Sequence, residues 1–267
     1  MWWDSRMSDA FAVVAAIPEV AEATARARRA IDGLLLDRRL RTGAASLASS
    51  AALRNAHASA TLEGAEVPLE ELRSGATGSP LLRVAASAME VQRLVRTLTG
   101  VPSRQAWATL AAVAGRPYLP DERLGRPRAE GEDAEDPLRL GLGHDADDVT
   151  LRLAVLSDLL QRPTAAPALV VAALVHGELL ALQPFGAGNG VVARAAAHLI
   201  AAQRGLDPDC FSMTDVGLAS LGRAAYVRAI RAYDTGGEAG VAQWCVHVAT
   251  AFERGVALAI AELDGMD

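Results

Sequence analysis

The sequence predicts an all-α protein, and three observations carry that prediction. Aromatic residues make up only 4% of the chain while hydrophobic residues make up 51%. Alanine, the best helix former, is abundant, whereas strands draw on aromatic and β-branched residues. Apolar positions recur at helical spacing along most of the 267 residues, and glycine and proline stand between those stretches where helices stop and start. A chain of this length buries a substantial core, as one large domain or as one domain with an N-terminal appendage.

Taken in order, the apolar run at residues 10–17 reads as the start of a helix: Asp9 precedes it and no strongly basic leader is present. Residues 18–40 follow as a helix with Arg26, Arg28 and Arg29 on its wet face, and residues 44–63 as the next, stopped by Gly64 with Pro68 shortly beyond. Further helices are predicted at 80–98 and 103–114. Between 115 and 148 the periodicity gives way to Pro, Gly, Arg, Asp and Glu, in a stretch too long for an ordinary connection. It reads as a flap or a loop, and only residues 138–142 alternate enough for a strand. Helices resume at 148–161, 165–182, 191–204, 218–233 and 241–263. The stretch 165–182 is the nearest approach to a membrane span, but His176 and Glu178 within it favour a buried central helix.

Composition excludes several function classes. All 26 Lys+Arg positions are arginine, so a P-loop NTPase, a protein kinase and a Schiff-base enzyme each lack their lysine. A net charge of −6 gives no support to nucleic-acid binding. Cys210 and Cys245 are the only cysteines, too few for a disulfide framework and without zinc-site spacing, so a reducing cytoplasm is the expected compartment.

The most informative stretch is Leu182-Gln183-Pro184-Phe185-Gly186-Ala187-Gly188-Asn189-Gly190, which runs into an alanine-rich helix carrying Arg194. Glycines at 186, 188 and 190 permit backbone conformations closed to other residues, where free N–H groups at a helix start can face an anion. The order resembles the Fic (Fido) family motif, His-x-Phe-x-Asp/Glu-Gly-Asn-Gly-Arg-x-x-Arg, whose members transfer AMP from ATP to a protein hydroxyl. Phe185, Gly188, Asn189, Gly190 and Arg194 match it, while Gln183 replaces the histidine, Ala187 the metal-binding acid and Val191 the first arginine. The resemblance runs from about Ala44 to the end of the chain, with Tyr226, Gly236-Gly237-Glu238 and Trp244 in the order of the family's C-terminal helices.

The resemblance implies a helical Fic-like domain over 44–267, with a motif at 183–194, behind an appendage over 1–43. A short β-hairpin flap before the motif helices is a further option, although this sequence supplies little alternation to build it. Gln183 has no accessible pKa near neutrality, and the loss of a general base costs on the order of 10²–10⁴-fold in rate. Without an acid at Ala187 to hold Mg²⁺ against phosphates, Mg²⁺ is not expected, and ATP binding at Gly188, Asn189, Gly190 and Arg194 is expected to be weak. Plainer readings stand beside these: Phe185 as a hydrophobic plug, Asn189 as a left-handed turn residue, His176 and His198 as satisfied core histidines. His57, His144 and His247 share no metal-site spacing with them.

A second stretch, Ser59-Ala60-Thr61-Leu62-Glu63-Gly64, matches the signature of the inhibitory helix found in many Fic proteins. There the glutamate pairs with the last motif arginine and takes the space of the γ-phosphate, which here implies a helix at about 44–64 and a Glu63–Arg194 pair. A carboxylate at a helix C-terminus faces the negative end of the dipole, unfavourable by about 0.3–1 kcal/mol unless a cation answers it. The reading that follows is a Fic protein impaired in AMP transfer, acting as a regulatory or protein-binding module. An active atypical nucleotidyltransferase and a purely structural helical scaffold are the alternatives. Its expected partner is a protein target or regulator, homo-oligomerisation is left open, and neither nucleic acid nor membrane is expected.

Overall fold

The computed structural model describes residues 9–142 and 144–265, and every regular element among them is helical. The chain begins with α1 (Ala10–Ala15) and α2 (Pro18–Leu35). The Asp9 side chain caps α1 by accepting from Ala12 N at 3.0 Å and also accepts from Thr164 Oγ1 at 2.8 Å and Ala165 N at 2.9 Å, which staples the chain start to a distant loop. α3 (Leu40–Leu62), a short α4 (Leu69–Arg73), α5 (Pro80–Val95) and α6 (Ser103–Gly115) follow. α7 spans Ala146–Gln161, capped by Asp145 through Asp148 N at 2.8 Å. The remaining helices are α8 (Ala168–Leu182), α9 (Asn189–Gln203), α10 (Thr214–Leu221), α11 (Arg223–Thr235) and α12 (Gly237–Asp264).

An α8–α9 hairpin is the centre of the molecule. Every residue of α8 from Leu169 to Leu182 is buried, as a helix that is hydrophobic all round must be. α5 and α6 cover one side of α9, while α11 and α12 cover α8, and α3 lies across α5 and α10. α2 lays Ala23, Ala27, Ile31 and Leu34 against the α12 side, in a cluster with Leu47, Phe211 and Phe252. Small residues let α10 and α12 cross closely: a Cβ on Gly217 would lie 1.9 Å from the Ala251 carbonyl.

Three differences from the sequence reading have physical causes. Residues 18–40 end at Leu35, because Arg39 folds over Asp37 (Nη2–Oδ2 2.7 Å) and fixes a turn that neither glycine nor proline announces. The stretch 218–233 divides at Gly222, whose φ of 92° no helix accommodates. The hairpin flap does not form: among the described residues there is no strand, only one antiparallel bridge between Pro127 and Phe185. Pro120, Pro127 and Pro137 cannot donate to a ladder. The alternation at 138–142 buries Leu138 and Leu140, but Arg139 between them has φ 53° and ends any extended run. The appendage boundary drawn at residue 43 falls inside α3, and residues 1–8 of that appendage lie outside the described residues.

α8 is about 22 Å long at about 1.5 Å per residue, short of a bilayer core. α12 is long and apolar enough to cross a membrane by length and composition, but it packs against α2, α10 and α11.

Candidate functional site

The loop from Gln183 to Gly188 links the two central helices. Gln183 ends α8 in the left-handed region (φ 44°, ψ 60°), a conformation that costs a non-glycine residue roughly 1–2 kcal/mol. Arg128 holds it there: Nε donates to the Gln183 carbonyl at 2.8 Å and Nη2 to the Leu182 carbonyl at 3.3 Å. The Gln183 carboxamide donates to Asp136 Oδ1 at 3.1 Å. Of the three glycines, Gly188 alone needs its freedom, with φ 74° at the N-cap of α9. A Cβ on Gly186 would be crowded, with Arg123 Nη2 and Leu119 Cδ1 each 3.2 Å away.

Asn189 is not the left-handed residue. It is the first residue of α9, and its side chain closes the loop by accepting from Phe185 N at 2.9 Å and donating to Phe185 O at 2.7 Å. Phe185 is buried in the main core at 4% exposure.

Glu63 and Arg194 meet. Arg194 Nη2 lies 2.7 Å from Glu63 Oε1, with side-chain exposures of 0% and 3%. A Schellman closure puts the acid there: Gly64 (φ 87°) donates to Thr61 O and Ala65 to Ala60 O, both at 2.9 Å, so α3 stops with Glu63 turned inward. The rest of the guanidinium is satisfied by Ser59 Oγ at 2.8 Å, Ser59 O at 3.0 Å and Tyr226 Oη at 3.2 Å. Tyr226 Oη is in turn 2.7 Å from His176 Nε2. A Cβ on Gly190 would sit 2.0 Å from Glu63 Oε1, so the carboxylate rests directly on the first turn of α9. An acid at the unfavourable end of α3 is thereby at the favourable end of α9, where the first amides have no intrahelical acceptor.

Charge states follow from these contacts. Burial works against the Arg194 cation, but Tyr226, Glu63 and Asp215 outweigh it and hold the guanidinium more firmly protonated than in water. Burial, with Arg194 nearby, pushes the His176 imidazole well below its ordinary range, so it stays neutral and accepts from Tyr226 Oη. Burial also raises the Tyr226 phenol.

Gln183, Ala187 and Val191 are all buried. Ala187 is fully buried and offers no donor, and Val191 packs into the core at 5% exposure. Among the described residues no group of three or more His, Cys, Asp or Glu is placed to hold a metal ion. His198 is paired with Asp215 at 3.0 Å, which together with Asp207 raises it despite burial. His57 meets the Val67 carbonyl at 2.7 Å, and His247, depressed by burial and by Arg228 to about 4, stacks on Trp244.

Sequence reasoning placed a flap or loop at 115–148 but missed its contacts: residues 116–142 form a strap over the mouth of the motif loop. Arg128 N donates to Pro184 O at 2.8 Å and Glu135 N to Gly186 O at 2.9 Å, and Arg128 Nη2 reaches His144 O at 2.6 Å. His144 places one ring nitrogen 2.8 Å from Asp148 and the other 2.8 Å from Asp234. Tyr118 leans over the same mouth; burial, then Glu63 and Glu135, push its phenol up to about 12.

No protein-family model matches the sequence, and no curated protein matches it significantly. Solved structures do resemble it. A Fic family protein from Desulfovibrio desulfuricans G20 superposes with a TM-score of 0.71 at 18% identity, over 92% of this chain and 75% of that one. Fic-1 from C. elegans gives 0.69 at 17% identity, over 97% and 76%. A Fic domain containing signaling protein from Bacteroides thetaiotaomicron VPI-5482 gives 0.67 at 12% identity, over 92% and 97%. This chain has the all-helical Fic fold.

Proposed function

We propose that this chain is a catalytically impaired counterpart of the Fic AMP-transferases that keeps a latched anion pocket and works as a regulatory or protein-binding module. The observation that carries the reading is the buried Glu63–Arg194 pair at 2.7 Å, seated on Gly190 where a phosphate would meet the start of α9. Glu63 takes the ligand's place, and Gln183, Ala187 and Val191 remove the base, the metal ligand and a charge-stabilising arginine. Weak ATP binding without Mg²⁺ is the expected residual property, in line with the helix dipole and the one remaining guanidinium.

Calorimetric titration of ATP against the parent protein and Glu63→Gly tests the latch, with Glu63→Gln as a milder partner in case the glycine variant folds poorly. The expected result is tighter binding in both variants than in the parent. Unchanged binding in folded variants removes the inhibitory role of Glu63. One observation favours the atypical-transferase alternative: Asp136 places a carboxylate 3.1 Å from the Gln183 side chain. Labelled AMP transfer to protein that disappears in Asp136→Asn would establish that alternative instead.

A further inference from the structure

The geometry points to the arginine face of α11 as a docking surface for an acidic polypeptide segment. Arg223, Arg228 and Arg231 are exposed on this helix, with Val227 and Ala224 between them, all on one side of a helix turning about 100° per residue. Together with Leu138 from the strap they line an open groove of about 480 Å³. Arg139, also exposed, belongs to the same strap.

The charge of this face is unanswered. Acids outnumber arginines 32 to 26, and several exposed arginines elsewhere find carboxylates, as in Arg28–Asp32, Arg116–Glu90 and Arg126–Glu132, while others such as Arg83 stand singly among the described residues; here four lie together. Arg139, Arg223, Arg228 and Arg231 have no carboxylate partner among the described residues. Arg223 and Arg231 are turned instead to main-chain carbonyls, Nε of the first to Leu62 O at 3.0 Å and Nε of the second to Leu140 O at 3.2 Å. Carbonyl contacts fix the guanidinium planes and leave their charge uncompensated, which suits forked recognition of carboxylates.

The groove floor selects the class of partner. Leu138, Ala224 and Val227 offer apolar surface for side chains between the acids, and no aromatic ring lines the groove on which bases would stack. This inference deepens the protein-binding half of the proposed function and rests on it, but it is independent of the nucleotide latch.

Fluorescence anisotropy with a labelled peptide of alternating glutamate and leucine tests it on the whole chain. Arg228→Glu is the informative variant, because Arg228 holds neither the strap nor the latch. Arg83→Glu, an exposed position on α5, makes the same change of charge elsewhere. The expected result is binding that weakens as salt rises from about 0.05 to 0.3 M, falls about tenfold in Arg228→Glu and is unaffected in Arg83→Glu. Equal losses in the two variants, no binding of the peptide at low salt, or tighter binding of an oligo-dT or a phosphatidylserine vesicle than of the peptide would each overturn it. ATP titration of Arg228→Glu, expected to match the parent, keeps a failure of this surface distinct from a failure of the nucleotide reading.

Discussion

The two sides of the motif loop are held in opposite ways. Toward α3, side chains close on one another: Arg194, Glu63, Ser59, Tyr226 and His176 are all buried and mutually bonded. Toward the strap, arginines reach main-chain oxygens, Arg128 to Gln183 O and Leu182 O and Arg231 to Leu140 O, from positions that are half-buried or exposed. The latch depends on particular residue types, because a buried charge must find its partners. The strap depends on backbone shape, which many sequences supply. Breaking the first is therefore expected to be costly throughout the fold, and breaking the second cheap and local.

The largest effect belongs to Arg194. Replacing it with methionine leaves the Glu63 carboxylate buried without its cation, at a cost of about 3–5 kcal/mol in urea unfolding. Glu63→Gln in the same chain removes the stranded charge, so the double variant is expected to recover part of that loss. A single variant that unfolds at the parent's midpoint would show that the pair is not sequestered in solution, and the contrast between the two sides would collapse.

Arg128→Ala addresses the other side. Hydrogen bonds from a charged group contribute about 1.5–3 kcal/mol when buried, and Arg128 is only partly buried, so a global loss of about 1–2 kcal/mol is expected. The sharper readout is amide exchange. The N–H groups of Arg128 and Glu135, now bonded to Pro184 O and Gly186 O, are expected to exchange faster while α8 and α9 keep their protection. Equal acceleration across the central helices would mean that strap and latch form one cooperative unit.

The same contrast explains what was legible in the sequence. Ser59, Glu63, Gly64 and Arg194 were readable because each performs a task that few residues can perform: Gly64 takes a φ of 87°, and Arg194 must satisfy an acid, a hydroxyl, a carbonyl and a phenol at once. Most helices were readable from periodicity and their stops. The break after Leu35 was not, since it depends on one Arg39–Asp37 contact, and neither was Arg128, whose acceptors are carbonyl oxygens that every residue carries. The alternative reading of Asn189 as a left-handed turn residue does not hold, because Gly188 takes that conformation and the Asn189 side chain bonds Phe185 through both its polar atoms, which depends on the loop's shape.

The smallest expected effect sits where strap and helices join. Asp234 is the main cause of the raised pKa of His144; Asp148 adds to it, while burial and Arg152, itself paired with Glu178 at 2.8 Å, oppose it. A base whose folded pKa lies above its unfolded value of about 6.5 contributes stability that is fully present below that value. That contribution is lost as pH rises through the folded value. His198 has the same sign, whereas His176 and His247 are depressed and cost stability as pH falls below about 6.5. Subtracting the profile of His144→Gln from that of the parent cancels these other histidines. Measured from about pH 5 upward, above the range where carboxylates titrate, the difference is expected to be under about 1 kcal/mol for this partly exposed site and to shrink as pH rises. A difference that grows with pH would mean that His144 is neutral between its two aspartates, and that the strap is held by its arginine–carbonyl contacts rather than by this charge pair.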